Sequence, residues 1–373
     1  MKSINPFIVG RYEDPEYFCD RQEETNRIIS AIENQRNLTL ISNRRLGKTG
    51  LIQHVIHTNR SRKDLDFIYL DLMPTQNLHE LISSLAKAVI GAIDNKTTKI
   101  LRQFGSAVKS LRPRITVDSL TGKPVIDIIT QEDVKAEASL EEIFEYIRHR
   151  QERIIIALDE FQQISNYPEK NTEARLRDQM QRSVNISFIF SGSQKHSLFS
   201  MFNDYNRPFY QSTELLTLNK IDRNKYHDFI IEQFTKGSRH LIAEVPDLIL
   251  DLTDTYTYYV QYLCNKIYSN DAKQINAELV IKTLLTILKE QEVVYYNYRN
   301  LLTSSQFALL MAIAKEKGVK MITSGSFIQK HGLTSASTVA SSLASLIDKE
   351  MIYQEDEKYF VYDIFFSRWL ERL

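Results

Sequence analysis

Between residues 37 and 218 short apolar runs alternate with longer segments in which apolar residues recur every three or four positions. The runs are LTLIS, FIYLDL, RIIIALD, ISFIFSG and ELLTL, and the helix-period segments fall at 47–59, 78–93, 140–150, 172–184 and 195–202. A strand buried on both faces has no polar side, so RIIIAL and ISFIF predict central strands of a parallel sheet. The alternation predicts an α/β fold, a three-layer core over residues 1–218 with a five-stranded parallel sheet. One segment breaks the rhythm: LRPRITVDSLTGKPVIDI alternates on either side of LTGKP, which predicts a β-hairpin at about 112–130 projecting from the core. From 219 to 298 strand signals stop and helical periodicity continues, predicting a small helical lid. Over 299–373 the order is helix, short strand, helix, helix, a hairpin from MIYQED and KYFVYD, then IFFSRWLERL. That order predicts a winged helix-turn-helix.

Composition narrows the class. The 373 residues are 43% hydrophobic and 25% charged, enough for two or three packed domains. Lys and Arg number 47 and Asp and Glu 47, so no global field draws the molecule to nucleic acid or anionic lipid, and any such binding is local. Cys19 and Cys264 are the only cysteines and supply neither a disulfide framework nor a zinc cluster. The N-terminus lacks an apolar signal region, and no stretch approaches the ~20 apolar residues of a membrane span, which reads as a cytoplasmic protein without membrane contact. Zinc, haem and flavin have no supporting constellation.

The chemistry concentrates where an apolar strand meets SNRRLGKTG. A phosphate-binding Walker A loop is GxxxxGK[ST] between a strand and a helix: backbone N–H groups surround the β-phosphate, the Lys reaches β and γ oxygens, and the hydroxyl holds magnesium. Here Asn43, Arg44, Arg45, Leu46, Gly47, Lys48, Thr49 and Gly50 form the candidate cradle, and Ser42 stands where the first glycine would relieve the turn. LTLIS before it and TGLIQHVI after it give the required frame, with helix N-terminal N–H groups available to an anion. Arg44 and Arg45 are placed to meet phosphate, a protein neighbour or water. Phosphoryl transfer also needs a carboxylate at the end of a nearby strand for Mg²⁺ and a group to orient the attacking water. RIIIALDEF offers Asp159 for the metal, with Thr49, and Glu160 for the water. A strand between those of the loop and of Asp159 should end in a polar group near the γ-phosphate, and ISFIFSGSQ offers Ser191 or Ser193, or else a plain Ser/Gly turn.

The motifs NPFIVG, YFCDRQEE, ISNRRLGKTGL, LDEFQQI, FIFSGSQKH, MFNDYNRPFY and the C-terminal LTSSQFALLMAIA through YDIFFSRWL occur in an order that resembles the archaeal-type ATPases, a STAND branch of the AAA+-like P-loop NTPases, over nearly the whole chain. The resemblance implies ATP or ADP with Mg²⁺ as cofactors, and it implies Arg21, with Val9, for adenine or ribose contacts; Arg21 also suits an ion pair with Glu24. In that family the lid carries a Gly-x-Pro step. Thr255 and Thr257 stand there in this chain, with Tyr258 and Tyr259 beside them to cap the base. Arg207 in NRPFYQ is the arginine finger by position, or else a surface arginine.

The winged helix carries no basic excess. Lys315, Lys317, Lys320, Lys330, Lys349, Lys358, Arg368 and Arg372 are matched by Glu316, Asp348, Glu350, Glu355, Asp356, Glu357, Asp363 and Glu371. The predicted recognition helix SASTVASSLASLI has no Arg, Lys, Asn or Gln to read base edges, and the wing YQEDEKY is acidic. His331, before Gly332, reads as a loop residue. The expectation is therefore a Mg-dependent NTPase in which Lys48, Glu160 and Arg207 are catalytic and the nucleotide switches a protein partner. The alternatives are a nucleotide-locked scaffold with negligible turnover and a DNA-associated ATPase.

Overall fold

Strands whose side chains are buried on both faces position everything that follows. The computed structural model describes residues 5–93, 104–117, 124–130 and 136–373, which fall into two compact units. The sheet unit is Arg11–Lys220, and the helical unit joins Ile221–Leu373 to the described N-terminal residues up to Gly10.

In the sheet unit β1 (Leu38–Ile41), β2 (Leu65–Asp71), β5 (Arg153–Asp159), β6 (Ile186–Gly192) and β7 (Glu214–Thr217) form one sheet in the order β2-β5-β6-β1-β7. Every neighbouring pair is parallel. All seven residues of β6 are buried, and all of β5 but Arg153, as their unbroken apolar runs predict. Successive side chains of a strand point to opposite faces. On one face Ile154, Ile156 and Leu158 of β5 join Phe188 and Phe190 of β6 in a core with Leu81 and Leu85 of α3 (Leu78–Ile93) and Phe144 of the helix Ala136–Arg148. The intervening Ile155, Ala157 and Ile189 are equally buried, as are Ile28 and Ile32 of α1 (Gln22–Glu33) and Leu51 and Val55 of α2 (Lys48–Thr58). Helices thus cover both faces of the sheet.

The predicted hairpin is present as β3 (Leu111–Val117) and β4 (Pro124–Thr130), paired antiparallel. Its turn at 120–123 lies outside the described residues. The hairpin does not simply project: Leu111 and Ile128 are part of the hydrophobic core.

The helical unit holds Arg223–Lys236, Val245–Leu252, Thr257–Tyr268 and the 25-residue helix Ala277–Leu301. It also contains two short parallel strands, β8 (His240–Leu241) and β9 (Gln274–Ile275), where only helices are predicted. Two residues are too few to show a period. The predicted core starting at residue 1 differs as well, because residues 5–10 pack with this unit. Phe7 is fully buried with its ring centroid 4.8 Å from Phe234 and 6.1 Å from Tyr268. Asn5 donates to the Asn265 carbonyl at 3.0 Å, and the Asn265 amide donates to the Phe7 carbonyl at 2.7 Å.

The C-terminal elements of the same unit follow the predicted order: Ser304–Glu316, a bridge between Val319 and Tyr359, Gly325–Lys330, Ala336–Asp348, the hairpin β10 (Ile352–Glu355) and β11 (Lys358–Val361), and Ile364–Leu370. Thr303 and Gln306 form a reciprocal capping box at the start. Gly318, at φ +117°, has the Phe360 ring 2.4 Å from where a Cβ would stand, so no side chain fits there. His331 is not a bare loop residue: it lies 2.8 Å from Glu316. Arg368 is buried and donates to the Asp251 and Leu252 carbonyls, both at 3.0 Å, and to Asp254 at 2.7 Å. It thereby satisfies carbonyls that the helix Val245–Leu252 leaves open at its C-terminus. The Tyr256 hydroxyl donates to Tyr353 at 2.8 Å. These bonds tie the winged helix to the helices before it, and the two fall within one unit.

Candidate functional site

The C-terminal ends of β1, β5 and β6 bring the predicted polar residues together, at the edge of the sheet where open α/β folds bind ligands. After β1 the chain turns through Ser42 to Gly47. Arg45 takes φ +68° and Gly47 +95°, which puts Lys48 in the first turn of α2. Ser42, at the first-glycine position, is 1% exposed and donates to the Asn43 carbonyl at 2.7 Å, so its hydroxyl is absorbed by the loop. Lys48 Nζ donates to Ser42 Oγ at 3.0 Å and to the Asn43 carbonyl at 3.3 Å. Both acceptors are neutral, and the ammonium is buried. Burial pushes the Lys48 pKa down to about 8, with Arg44 adding to the fall and Glu160 and Asp159 opposing it. Leu46 is buried beneath the loop, Arg45 and Thr49 are exposed, and Asn43, Arg44, Gly47 and Gly50 are half-buried. Phe18 lies 3.8 Å from where a Gly50 Cβ would stand.

Asp159 is the hub of the site. It is 2% exposed, and its Oδ2 accepts from Thr49 Oγ1 at 2.6 Å and from the Tyr69 hydroxyl at 3.0 Å. Its Oδ1 accepts from Ser191 Oγ at 2.5 Å and from the Glu160 N–H at 3.0 Å. The Thr49 hydroxyl and the Asp159 carboxylate form an oxygen donor pair of the kind a hard cation such as Mg²⁺ takes, with Thr49 open to solvent. Glu160 follows in the left-handed region at φ +54°, capping the 3₁₀ turn Phe161–Asn166. Phe161 holds that geometry: it is fully buried, 4.5 Å from the Phe190 ring and 5.3 Å from Phe209. Glu160 Oε2 accepts from Ser193 Oγ at 2.7 Å and from the Ser193 N–H at 3.2 Å. Ser191 and Ser193 thus each bond one of the two carboxylates. Arg44 Nε donates to Ser193 Oγ at 3.3 Å, which links the loop to β6.

The remaining predicted residues have other partners. Arg21 is buried, pairs with Glu24 at 2.8 Å and donates to the Leu46 carbonyl at 3.3 Å, so it takes the ion pair and also braces the cradle. Arg207 is held by Glu173 in an ion pair of 2.5 Å and by Ser165 Oγ at 3.3 Å. Val9 and Tyr259 belong to the helical unit. Tyr259 has no exposed surface, with Phe365 edge-on at 4.8 Å and Tyr258 at 5.3 Å. Its ring is given to packing rather than presented to a base, which corrects the expectation of a base cap. Three residues at the site escaped the sequence reading. Tyr69 reaches Asp159 because β2 and β5 pair side by side, and burial beside that carboxylate raises its pKa far above normal. Asp71, in register with Asp159, has its pKa raised by burial and the neighbouring carboxylates. Gln162 donates to Glu160 Oε2 at 2.5 Å. The polar end of FIYLDL was a signal for the first two.

Comparisons with known proteins identify the family and the fold. The model of an ATPase domain predominantly from Archaea matches residues 18–263, and that of a "Probable winged helix domain" matches residues 293–372. Among solved structures, the Walker-type ATPase PABY2304 of Pyrococcus abyssi aligns at 17% identity with TM-score 0.69, covering 99% of this chain and 100% of its own. The Aeropyrum pernix Orc2 protein, solved with ADPNP and ADP, aligns at 14% identity with TM-score 0.62, covering 99% of this chain and 96% of its own. The Aeropyrum pernix Orc1 protein in complex with DNA aligns at 14% identity with TM-score 0.52, covering 96% and 93%. At such identities the likeness establishes fold alone, and a search of curated proteins finds no match. With the ATPase model spanning well over half of its residues and a winged helix at its C-terminus, the chain belongs to the archaeal-type ATPase family.

Proposed function

We propose that the protein is an ATP-binding, Mg²⁺-dependent NTPase whose nucleotide state governs engagement of a protein partner in the cytoplasm. The observation that carries the reading is the meeting of Thr49 and Asp159 at 2.6 Å beside the buried Lys48. Lys48, which now rests on neutral acceptors, neutralises the β- and γ-phosphates. Backbone N–H groups of Asn43 to Gly50 surround the phosphates, and Arg44 and Arg45 flank them. Thr49 and Asp159 hold the metal, which when bound neutralises charge on the phosphate oxygens. Glu160 orients and deprotonates the attacking water, and Ser191 and Ser193 fix the two carboxylates. Arg21 serves the nucleoside side, and Arg207 supplies a positive charge when released from Glu173, so turnover of the isolated chain is slow.

The choice of a protein partner over DNA rests on charge. The helix Ala336–Asp348 bears no basic residue, and the wing between β10 and β11 exposes Asp356 and Glu357. Phosphate backbones are held by basic groups that release counterions, and here the exposed Lys358 of the wing is outnumbered by its acidic neighbours. Two measurements test the reading. Asp159→Asn is expected to weaken ATP binding in Mg²⁺ by about tenfold or more while leaving binding in EDTA nearly unchanged, read by calorimetric titration. An equal loss in both conditions would remove the metal role. Duplex DNA is expected to give no salt-dependent rise in fluorescence anisotropy with the ATP-loaded chain, and a steep salt-dependent rise would transfer the reading to DNA.

A further inference from the structure

Gln162 sits in the 3₁₀ turn two residues beyond Glu160, 5% exposed. Its Nε2 donates to Glu160 Oε2 at 2.5 Å, the oxygen that also accepts from Ser193 Oγ and from the Ser193 N–H. The orientation of the amide is dictated by that contact, since the reverse would set two acceptors against each other. The Gln162 Oε1 atom is buried without a hydrogen-bond partner among the described residues. It lies against Gly192 of β6, where an added Cβ would come within 2.0 Å of Oε1 and 3.2 Å of Cδ. A buried carbonyl left unsatisfied costs stability, so packing does not explain the choice of glutamine; methionine would fill the space without an orphaned oxygen. The glycine at 192 is what lets the amide lie there.

We infer that Gln162, seated on Gly192, is a positioning residue that holds the Glu160 carboxylate for its work on water. The inference rests on the proposed role of Glu160. Three donors converge on Oε2, two from Ser193 and one from Gln162, and they approach from different elements, the end of β6 and the turn itself. Together they fix the plane of the carboxylate. Oε1 is then the edge that accepts the water proton, because none of these donors is directed at it. Removing the Gln162 amide leaves only Ser193, and the carboxylate gains freedom to rotate about its own bond.

The test uses the full chain with ATP and Mg²⁺, comparing steady-state and single-turnover rates of wild type, Gln162→Met, Gly192→Ala and Glu160→Gln. Gln162→Met is expected to lower kcat by roughly 10- to 100-fold with KM and nucleotide Kd within about twofold of wild type. In the Glu160→Gln background it is expected to lower the residual rate no further, because it acts only through Glu160. Gly192→Ala is expected to reproduce the loss by displacing the amide. Gln162→Asn, which keeps the amide but shortens its reach, repeats the test should Gln162→Met fail to fold. Wild-type kcat in Gln162→Met, a full further loss in the Glu160→Gln background, or a change confined to KM and thermal midpoint would overturn the inference and leave the role of Glu160 standing. A wild-type chain that binds ATP without hydrolysing it would overturn both.

Discussion

Lys48→Ala is expected to abolish nucleotide binding at micromolar concentrations, and phosphate release with it. The wild-type ammonium is buried and rests on Ser42 Oγ and the Asn43 carbonyl, neutral groups that a phosphate outcompetes. Charge-assisted hydrogen bonds to two phosphates sum to about 3 kcal/mol or more, a loss of over a hundredfold in affinity. The same site carries a pH signature. Burial holds the Lys48 pKa at about 8, and bound phosphate raises it by favouring the charged form. Affinity is therefore level below about pH 8 and falls as pH rises through that value, by up to about tenfold per unit until the raised pKa is reached. Fluorescent ADP titrations at pH 7, 8 and 9 should show this slope in wild type, and a flat response would mean that Lys48 does not meet phosphate.

Glu160→Gln separates binding from chemistry. The replacement keeps an oxygen for the donors of Ser193 and Gln162, so the turn after β5 holds its form. What it loses is the ability to take a proton, and a positioned general base contributes about a hundred- to ten-thousandfold. The variant should bind ATP with wild-type affinity and retain it unhydrolysed, with kcat reduced by about that range. Turnover equal to that of wild type would show that water is activated elsewhere; near-zero turnover in both would favour a nucleotide-locked scaffold.

The parts legible in the sequence are those in which a local pattern reports a global environment. The strands β1, β5 and β6 announced themselves because parallel strands covered on both sides have no polar face, and the helix Leu78–Ile93 begins and ends where its period does. Asp159 and Glu160 stood out because they close the apolar run RIIIAL, where phosphoryl transfer would need carboxylates. What stayed hidden depends on contacts across the sequence. Phe7 finds Phe234 and Tyr268 more than two hundred positions away, which moved the N-terminal segment out of the core assigned to it. Tyr259 sits in an aromatic stretch that suits a base stack as well as a core, and only its burial against Phe365 decides between them. Gln162 is adjacent in sequence to the site, yet its use follows from the left-handed turn at Glu160 and from the missing side chain at Gly192, neither of which a periodicity reveals.

The most direct test of the ATPase reading is Mg²⁺-dependent phosphate release from ATP by the purified chain, measured together with its bound nucleotide and with Lys48→Ala as control. The account predicts nucleotide bound at close to one per chain and slow release that requires Mg²⁺ and vanishes in Lys48→Ala. A wild-type chain that neither binds nucleotide nor releases phosphate would contradict it.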